Sequence, residues 1–100
     1  MFIVLLKFSD NRSKAGQFLV GHKAWIERGF EDGVFLLVGG LQSDLGGGIL
    51  AHNTSLSDLR SRMSEDPFVV ENVVSAEILE ITPARADKRL AFLHVKPNTG

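Results

Sequence analysis

The sequence contains no cysteine, which excludes a disulfide framework, a thiolate nucleophile and a cysteine-ligated metal site. It also lacks any run of about 18 apolar residues, the length that a membrane-spanning helix requires. Residues 2–6 are apolar, but no basic segment precedes them and no small-residue cleavage pattern follows, so they predict a strand rather than a leader. We therefore expect a soluble protein of the reducing cytoplasm.

An excess of positive charge is also missing, because 11 Lys and Arg residues are opposed by 12 Asp and Glu residues and the net charge is −1. Nucleic-acid binding and polybasic membrane attachment both depend on accumulated positive charge, so we expect neither partner. Only residues 83–100 are mildly basic, with four Lys and Arg residues against Asp87. Four charges over this segment indicate a solvated extension rather than a binding arm.

The length of 100 residues suits one domain with a single core. We predict that residues 1–82 form this domain and that residues 83–100 form a C-terminal extension. Within the extension, Leu90, Phe92 and Leu93 predict a short amphipathic segment.

Four mainly apolar segments predict strands. Residues 2–8 are apolar at nearly every position, as expected of a central strand that is covered on both faces. Residues 34–38 and 48–53 flank a glycine-rich turn and predict a hairpin. Residues 73–81 predict the fourth strand, which Pro83 ends.

Two segments between these strands have helical spacing. Turn and N-cap residues at 10–13 precede a stripe at spacings of three and four that includes His22, and residues 29–33 end this helix. A shorter helix begins after Ser55, the first residue of a capping-box pattern, and stops near Ser64. The resulting order, βαββαβ, is typical of an α+β, ferredoxin-like fold with a four-stranded antiparallel sheet.

His22 lies on the apolar stripe of the first helix, and Asp66 is its best acidic partner. Pro67 suits the first position of a helical turn, which makes Asp66 a natural N-cap. If the first and third strands are parallel neighbours, right-handed crossovers place both helices side by side on one sheet face. Both residues then lie about 13–15 Å beyond the start of a helix and can meet. A carboxylate bound to one imidazole nitrogen leaves the other free as a base or acid.

Four stretches of the sequence carry a family resemblance. They are His22-Lys23-Ala24-Trp25-Ile26, the segment Asp-Gly-Val-Phe-Leu-Leu-Val-Gly at 32–39, Gly-Gly-Ile-Leu at 47–50, and Asp66-Pro67-Phe68. Together they resemble the YciI-related (YCII) family of the dimeric α+β barrel superfamily. The resemblance implies a homodimer whose two sheets face one another, and it implies His22 and Asp66 as the catalytic pair. It also implies kinship with muconolactone isomerases and chloromuconolactone dehalogenases.

Two classes of function fit these features. The first is a cytoplasmic homodimeric enzyme in which His22 moves a proton of a small carbonyl or lactone compound and Asp66 orients it. We expect no metal or other cofactor, because His22, His52 and His94 lack metal-ligand spacing. The second is a non-catalytic small-molecule binding or accessory dimer module. At residue level, a hydrogen-bonded core role for His22 and a purely capping role for Asp66 stay open.

Three further signals favour ordinary structural roles. RNA-recognition domains share the element order, but residues 48–53 lack the stacking aromatics that RNA binding on this strand needs. The glycines at 39–40 and 46–48 flank a hairpin turn and do not enter a helix, so turn chemistry is preferred over a phosphate cradle. Trp25 and Phe68 lie at core spacings, which favours core packing over a cavity wall.

Overall fold

A computed structural model describes residues 1–93, which form a four-stranded antiparallel sheet with helices packed on one face. The strands are β1 (Phe2–Phe8), β2 (Phe35–Leu41), β3 (Gly46–Ala51) and β4 (Val74–Glu80). The helices are α1 (Ala15–Glu31), α2 (Leu56–Met63) and the single turn α3 (Pro67–Val70). The α+β class and the βαββαβ order are confirmed, and α3 adds one turn before β4.

The sheet order is β2-β3-β1-β4, so β1 is central as predicted. The expectation that the first and third strands are parallel is wrong, because β1 and β3 pair antiparallel, with Phe2 opposite Ala51. Each helix instead connects two strands that flank a third one, and these two strands are parallel to each other. The right-handed crossover rule applies to these connections, so the helices share a face but α1 and α2 run in opposite directions. The height of His22 along the helix layer is little changed by this reversal, because His22 lies near the middle of α1.

The core lies between the helices and one face of the sheet. Alternate residues of β1 point into it, and they meet side chains from α1, α2 and α3. Its members include Phe2, Val4, Leu6, Trp25, Ile49, Leu59, Met63, Phe68 and Val74. Complete burial of such a side chain contributes about 1.5–3 kcal/mol to the free energy of folding. The prediction that both faces of β1 are covered does not hold within the single chain, because Ile3 and Leu5 on the opposite face are only half-buried.

The two long helices begin differently. The predicted N-cap chemistry at residues 10–13 is wrong for α1, because a 3₁₀ turn at Arg12–Lys14 leads into the helix and no side chain caps it. The prediction for α2 is confirmed, since Oγ of Ser55 accepts a hydrogen bond from the Asp58 N–H at 3.0 Å. This cap fixes where the chain turns away from β3.

Two glycines in α1 allow close packing of other elements. A Cβ atom at Gly29 would overlap the ring of Phe35, and one at Gly21 would lie 3.0 Å from Cγ of Pro67. Each glycine costs about 1 kcal/mol relative to alanine in a helix interior, so close approach accounts for both. Gly21 precedes His22 and thereby brings the Asp66-Pro67 turn against α1. Nothing in the structure explains Gly16, which faces open space.

The segment after β4 folds back beside the sheet as far as Leu93, which is buried. A 3₁₀ turn at Lys88–Leu90 begins at Asp87, whose carboxylate accepts hydrogen bonds from the Arg89 side chain and backbone N–H, and both lower the pKa of Asp87. Phe92 contacts His52 edge to face, with ring centroids 5.3 Å apart. The rest of the predicted basic extension, residues 94–100 with His94 and Lys96, lies outside the described residues. No helix within residues 1–93 has the length and apolar character needed to cross a membrane.

Candidate functional site

His22 and Asp66 lie in direct contact. Nδ1 of His22 is 2.8 Å from Oδ1 of Asp66, although 44 positions separate the two residues in the sequence. Asp66 is also the N-cap of α3, where the same Oδ1 accepts a hydrogen bond from the Phe68 N–H at 3.0 Å. Pro67 occupies the first helical turn, as its fixed φ favours. One carboxylate oxygen therefore serves both the helix start and the imidazole.

Asp66 is an N-cap that is completely buried. Its side chain is 0% exposed, and Oδ2 is buried without a hydrogen-bond partner among the residues that the structure describes. An N-cap contributes about 0.5–2 kcal/mol, and serine, threonine or asparagine would supply it without a charge. Burial of a carboxylate costs several kcal/mol even after relaxation of the protein. Asp66 is therefore an N-cap that is fully buried, with one carboxylate oxygen unpaired among the described residues.

The His22 ring is held on two sides but is not sealed. It stacks on Phe68 with centroids 3.9 Å apart and an interplanar angle of 5°, and Trp25 lies 5.9 Å away. When Asp66 is ionised it can only accept a hydrogen bond, and the hydrogen of this contact then lies on Nδ1 of His22. Nε2 makes no hydrogen bond within residues 1–93, and it is not among the buried atoms without a partner. The His22 side chain is 13% exposed, so the ring keeps some contact with solvent.

A cavity of about 320 Å³ lies against His22. Leu19 and Ile26 of α1 and Phe68 of α3 form apolar walls, and Phe8 of β1 contributes a further ring. The carboxylate of Asp66 does not line the cavity. It lies behind the imidazole, so His22 is the member of the pair that borders the cavity.

The cavity floor is backbone at the start of β3. Gly46 has φ +134°, and a Cβ atom there would overlap the backbone carbonyl of Leu6. Only glycine tolerates that conformation and that contact. Gly46 therefore serves close packing, and Gly46 and Gly47 bring the backbone to the cavity surface.

One cavity residue, Lys23, was not considered as a site residue from the sequence, and the role of Phe68 was considered only in part. Lys23 lines the cavity beside His22, and its spacing of four and three residues from Leu19 and Ile26 is the signal that places it there. Phe68 is both a core residue and a cavity wall, so the preference for core packing describes only one of its roles. Trp25 lies in the core, 1% exposed.

The described residues do not group into a metal-binding cluster. Within residues 1–93, no three His, Asp or Glu side chains lie close enough together to hold a metal ion. His22 is committed to Asp66, and His52 lies beside Phe92. The polar chemistry that the structure brings to the cavity is therefore that of an imidazole with a carboxylate behind it.

No protein-family model matches the chain, and no curated protein sequence matches it. Its structure is similar to that of 5-chloro-2-hydroxyhydroquinone dehydrochlorinase from Burkholderia phenoliruptrix AC1100, solved in complex with 2,5-dihydroxybenzoquinone. The TM-score is 0.65 at 12% sequence identity, and the match covers 83% of this chain and 95% of that chain. At this identity the likeness establishes the fold alone. The chain thus has the α+β fold of the dimeric α+β barrel proteins.

Proposed function

We propose that this protein is a YciI-like enzyme in which His22 and Asp66 perform metal-independent acid-base chemistry on a small carbonyl or lactone compound. The contact between Nδ1 of His22 and the buried Oδ1 of Asp66, at the wall of an apolar cavity, carries the proposal. The likeness to a dehydrochlorinase solved with a small quinone supports a small organic molecule as the guest.

The proposed reaction is a proton transfer next to a carbonyl group. Nε2 of neutral His22 takes a proton from the carbon beside the carbonyl, and the electron pair of the broken C–H bond forms an enolate. Asp66 stabilises the resulting imidazolium and holds its orientation. The imidazolium then returns the proton to another carbon of the same conjugated system, which isomerises the substrate and restores the enzyme. Such a positioned acid and base contributes about 10²–10⁴ in rate.

A screen of small carbonyl and lactone metabolites against the purified protein tests this proposal. A compound present at about 100 times its Kd stabilises the folded state by about 2.7 kcal/mol, which raises the Tm by roughly 10 °C or more in a domain of this size. We expect such a compound to be converted on incubation, with a pH dependence that disappears when His22 is replaced. Mass spectrometry or ultraviolet absorbance detects the conversion.

The second candidate is a non-catalytic module that binds a small molecule. The small polar content of the cavity favours it, since among residues 1–93 only His22 and Lys23 contribute polar side chains to the wall. A compound that raises the Tm and is never converted, at any pH and with His22 intact, would reject the enzyme and establish the binding module.

We also propose that two copies of the chain pair through the sheet face opposite the helices. One row of aliphatic side chains crosses all four strands of that face, because Leu37 pairs with Leu50, Leu50 with Ile3, and Ile3 with Leu79. Leu37 is 54% exposed and Leu79 is 45% exposed, although both are large and apolar. A second copy would remove this row from water. The resemblance to the YCII family likewise implies a homodimer whose two sheets face one another.

Replacement of Leu37 by lysine should convert the dimer to a monomer. Leu37 lies on the edge strand β2, so a lysine there stays solvated in the monomer and would be buried without a partner in the dimer. We expect the dimer Kd to rise by about 100-fold or more, which corresponds to about 3 kcal/mol. Sedimentation equilibrium measures this change.

The matched control is Val20→Lys, which introduces the same charge at an apolar residue of α1 that is 84% exposed. This variant should dimerise like the parent protein, because Val20 lies on the helical side. A parent protein that is monomeric at micromolar concentration, or a Leu37→Lys variant with unchanged dimerisation, would refute pairing through the sheet face.

A further inference from the structure

Gly47 lies on the cavity floor at a position where the fold leaves room for a side chain. It pairs with Leu6 of β1, so a side chain at residue 47 would project from the core face of the sheet, beside the buried Leu6. A Cβ atom there would lie 3.4 Å from the backbone oxygen of Gly39, which is an ordinary contact. No side chain of residues 1–93 comes within 4 Å of that Cβ position. The space in front of Gly47 is therefore open.

Gly46, the other glycine of the cavity floor, is different. Its φ of +134° and the nearby carbonyl of Leu6 exclude a Cβ atom at that position. Gly47 lies within β3 and its φ is not positive, so its backbone conformation is open to any residue. The fold thus accounts for Gly46 but does not require glycine at residue 47.

The next residue of β3 on the same face shows how the core is filled elsewhere. Ile49 lies two residues after Gly47, is 1% exposed and packs in the core opposite Val4. A glycine inside a strand weakens the strand, because it has no side chain to pack, and such a glycine is typical of a place where a ligand approaches the backbone closely. Gly47 leaves its space beside the imidazole of His22, within the cavity of about 320 Å³.

We infer that Gly47 determines the size of the guest, because the ring of a single-ring carbonyl compound lies against its backbone, in the space that a side chain would fill. The cavity volume lies at the low end of the range for small-molecule pockets, about 300–1,000 Å³, so the guest has little space to move elsewhere. This inference rests on the proposed function, from which it takes the cavity and the carbonyl group. It adds the residue that sets specificity.

Acetophenone is a suitable probe, since it has one ring, a carbonyl group and C–H bonds beside that group. We expect it to bind the parent protein and to shift the NMR signals of both the Gly47 amide and the His22 imidazole. Gly47→Val places three carbon atoms in the guest's space and should weaken binding by about 10-fold or more, the effect of about two buried CH₂ groups. Gly47→Ala should weaken it less. NMR titration measures these affinities.

The same substitutions should not harm the fold. Valine suits a strand and fills open space on the core face, so Gly47→Val should raise the Tm by about 4–8 °C. The matched control is Gly16→Ala, which replaces an exposed glycine of α1 that does not line the cavity. This control should also raise the Tm but should bind acetophenone like the parent protein.

Several results would overturn the inference. They are unchanged affinity in Gly47→Val, failure of acetophenone to bind the parent protein, and shifts that spare the Gly47 amide. If Gly47→Val does not fold, Gly47→Ala decides, because the inference requires weaker binding by that variant without a lower Tm. A lower Tm in Gly47→Ala would mean that the fold itself needs glycine there.

Hydrogen exchange distinguishes this inference from the proposed enzyme. In D₂O, Nε2 of His22 would take a methyl proton of acetophenone, and the imidazolium would exchange that proton with solvent and return a deuteron to the enolate carbon. Binding that Gly47→Val weakens, without exchange above that in buffer, would support the role of Gly47 and reject the proton transfer. Exchange that requires His22 and is unchanged in Gly47→Val would support the proton transfer and overturn the role of Gly47.

Discussion

Replacement of His22 by alanine should lower turnover of the cavity's substrate by about 10²–10⁴-fold, the usual contribution of a positioned acid and base. The variant loses Nε2, the atom that accepts the proton, and Asp66 has no other side chain in the described residues with which to transfer one. We expect the loss in kcat rather than in KM, because the apolar walls that hold the substrate are unchanged. Steady-state kinetics over a pH series measures the loss.

The fold should survive this substitution. His22 borders the cavity, so water can reach Oδ1 of Asp66 once the ring is gone, and the hydrogen bond from the Phe68 N–H is retained. We expect a cost of about 1–3 kcal/mol in the free energy of unfolding for the lost partner of a buried acceptor. Circular dichroism and sedimentation should then show a folded dimer.

His22→Asn is the matched variant for a structural role. Its side-chain amide can donate a hydrogen bond to Asp66 from the position of Nδ1, but it has no group that takes up a proton. We expect the stability of this variant to recover while turnover stays low. If His22→Ala instead unfolds the protein, and Asn or Gln at this position restores full activity, His22 is a core residue and the proposed chemistry is wrong.

The contact between His22 and Asp66 was predictable because the neighbouring sequence of each residue indicates where it lies in its helix. The Asp-Pro pair fixes an N-cap, since proline disfavours helical geometry in the residue before it. Helical spacing places His22 on the inner stripe of α1. The sequence placed His22 and Asp66 at similar heights along their helices. The wrong direction of β3 does not change this, because a residue near the middle of a helix stays at the same height when the helix is reversed.

The direction of β3 relative to β1 could not be predicted from the local pattern of apolar and polar residues. Hydrophobic periodicity shows which residues are buried, but pairing depends on which strands become neighbours after the crossovers form. The start of α1 was missed for a different reason. Asn11 has the right chemistry for a cap, yet its Nδ2 donates to the backbone carbonyl of Glu71 at 2.9 Å. The side chain of Asn11 therefore bonds to a residue 60 positions away instead of capping the helix.

The cavity itself results from long-range packing. Its floor needs Gly46 against the carbonyl of Leu6, and its walls come from three elements that are distant in sequence. A lysine beside a histidine on a helix is ordinary in composition, so only the fold shows that Lys23 borders the cavity. Likewise, the apolar character of Ile3 and Leu5 indicates a covered face, but the single chain covers only the other one.

Replacement of Trp25 by alanine should lower the free energy of unfolding by about 3–5 kcal/mol, as expected when a large buried ring is removed. Trp25 is 1% exposed and packs edge to face on Phe35, with centroids 5.2 Å apart. Its Nε1 donates a hydrogen bond to the backbone carbonyl of Arg62 at 2.9 Å, which ties α1 to α2. Urea denaturation at one protein concentration measures the change. Circular dichroism is used for detection because the variant lacks the only tryptophan and therefore has no tryptophan fluorescence.

Trp25→Phe separates the ring from its hydrogen bond. Phenylalanine retains the packing on Phe35 but leaves the Arg62 carbonyl without the indole donor. That carbonyl still accepts from the Glu65 N–H at 3.1 Å, so we expect the lost hydrogen bond itself to cost only about 1 kcal/mol. A cost below about 1 kcal/mol for Trp25→Ala would mean that the ring does not hold α1 in place. The position of His22, one helical turn away on α1, would then depend on its contacts with Phe68 and Asp66 and on the other core residues of α1.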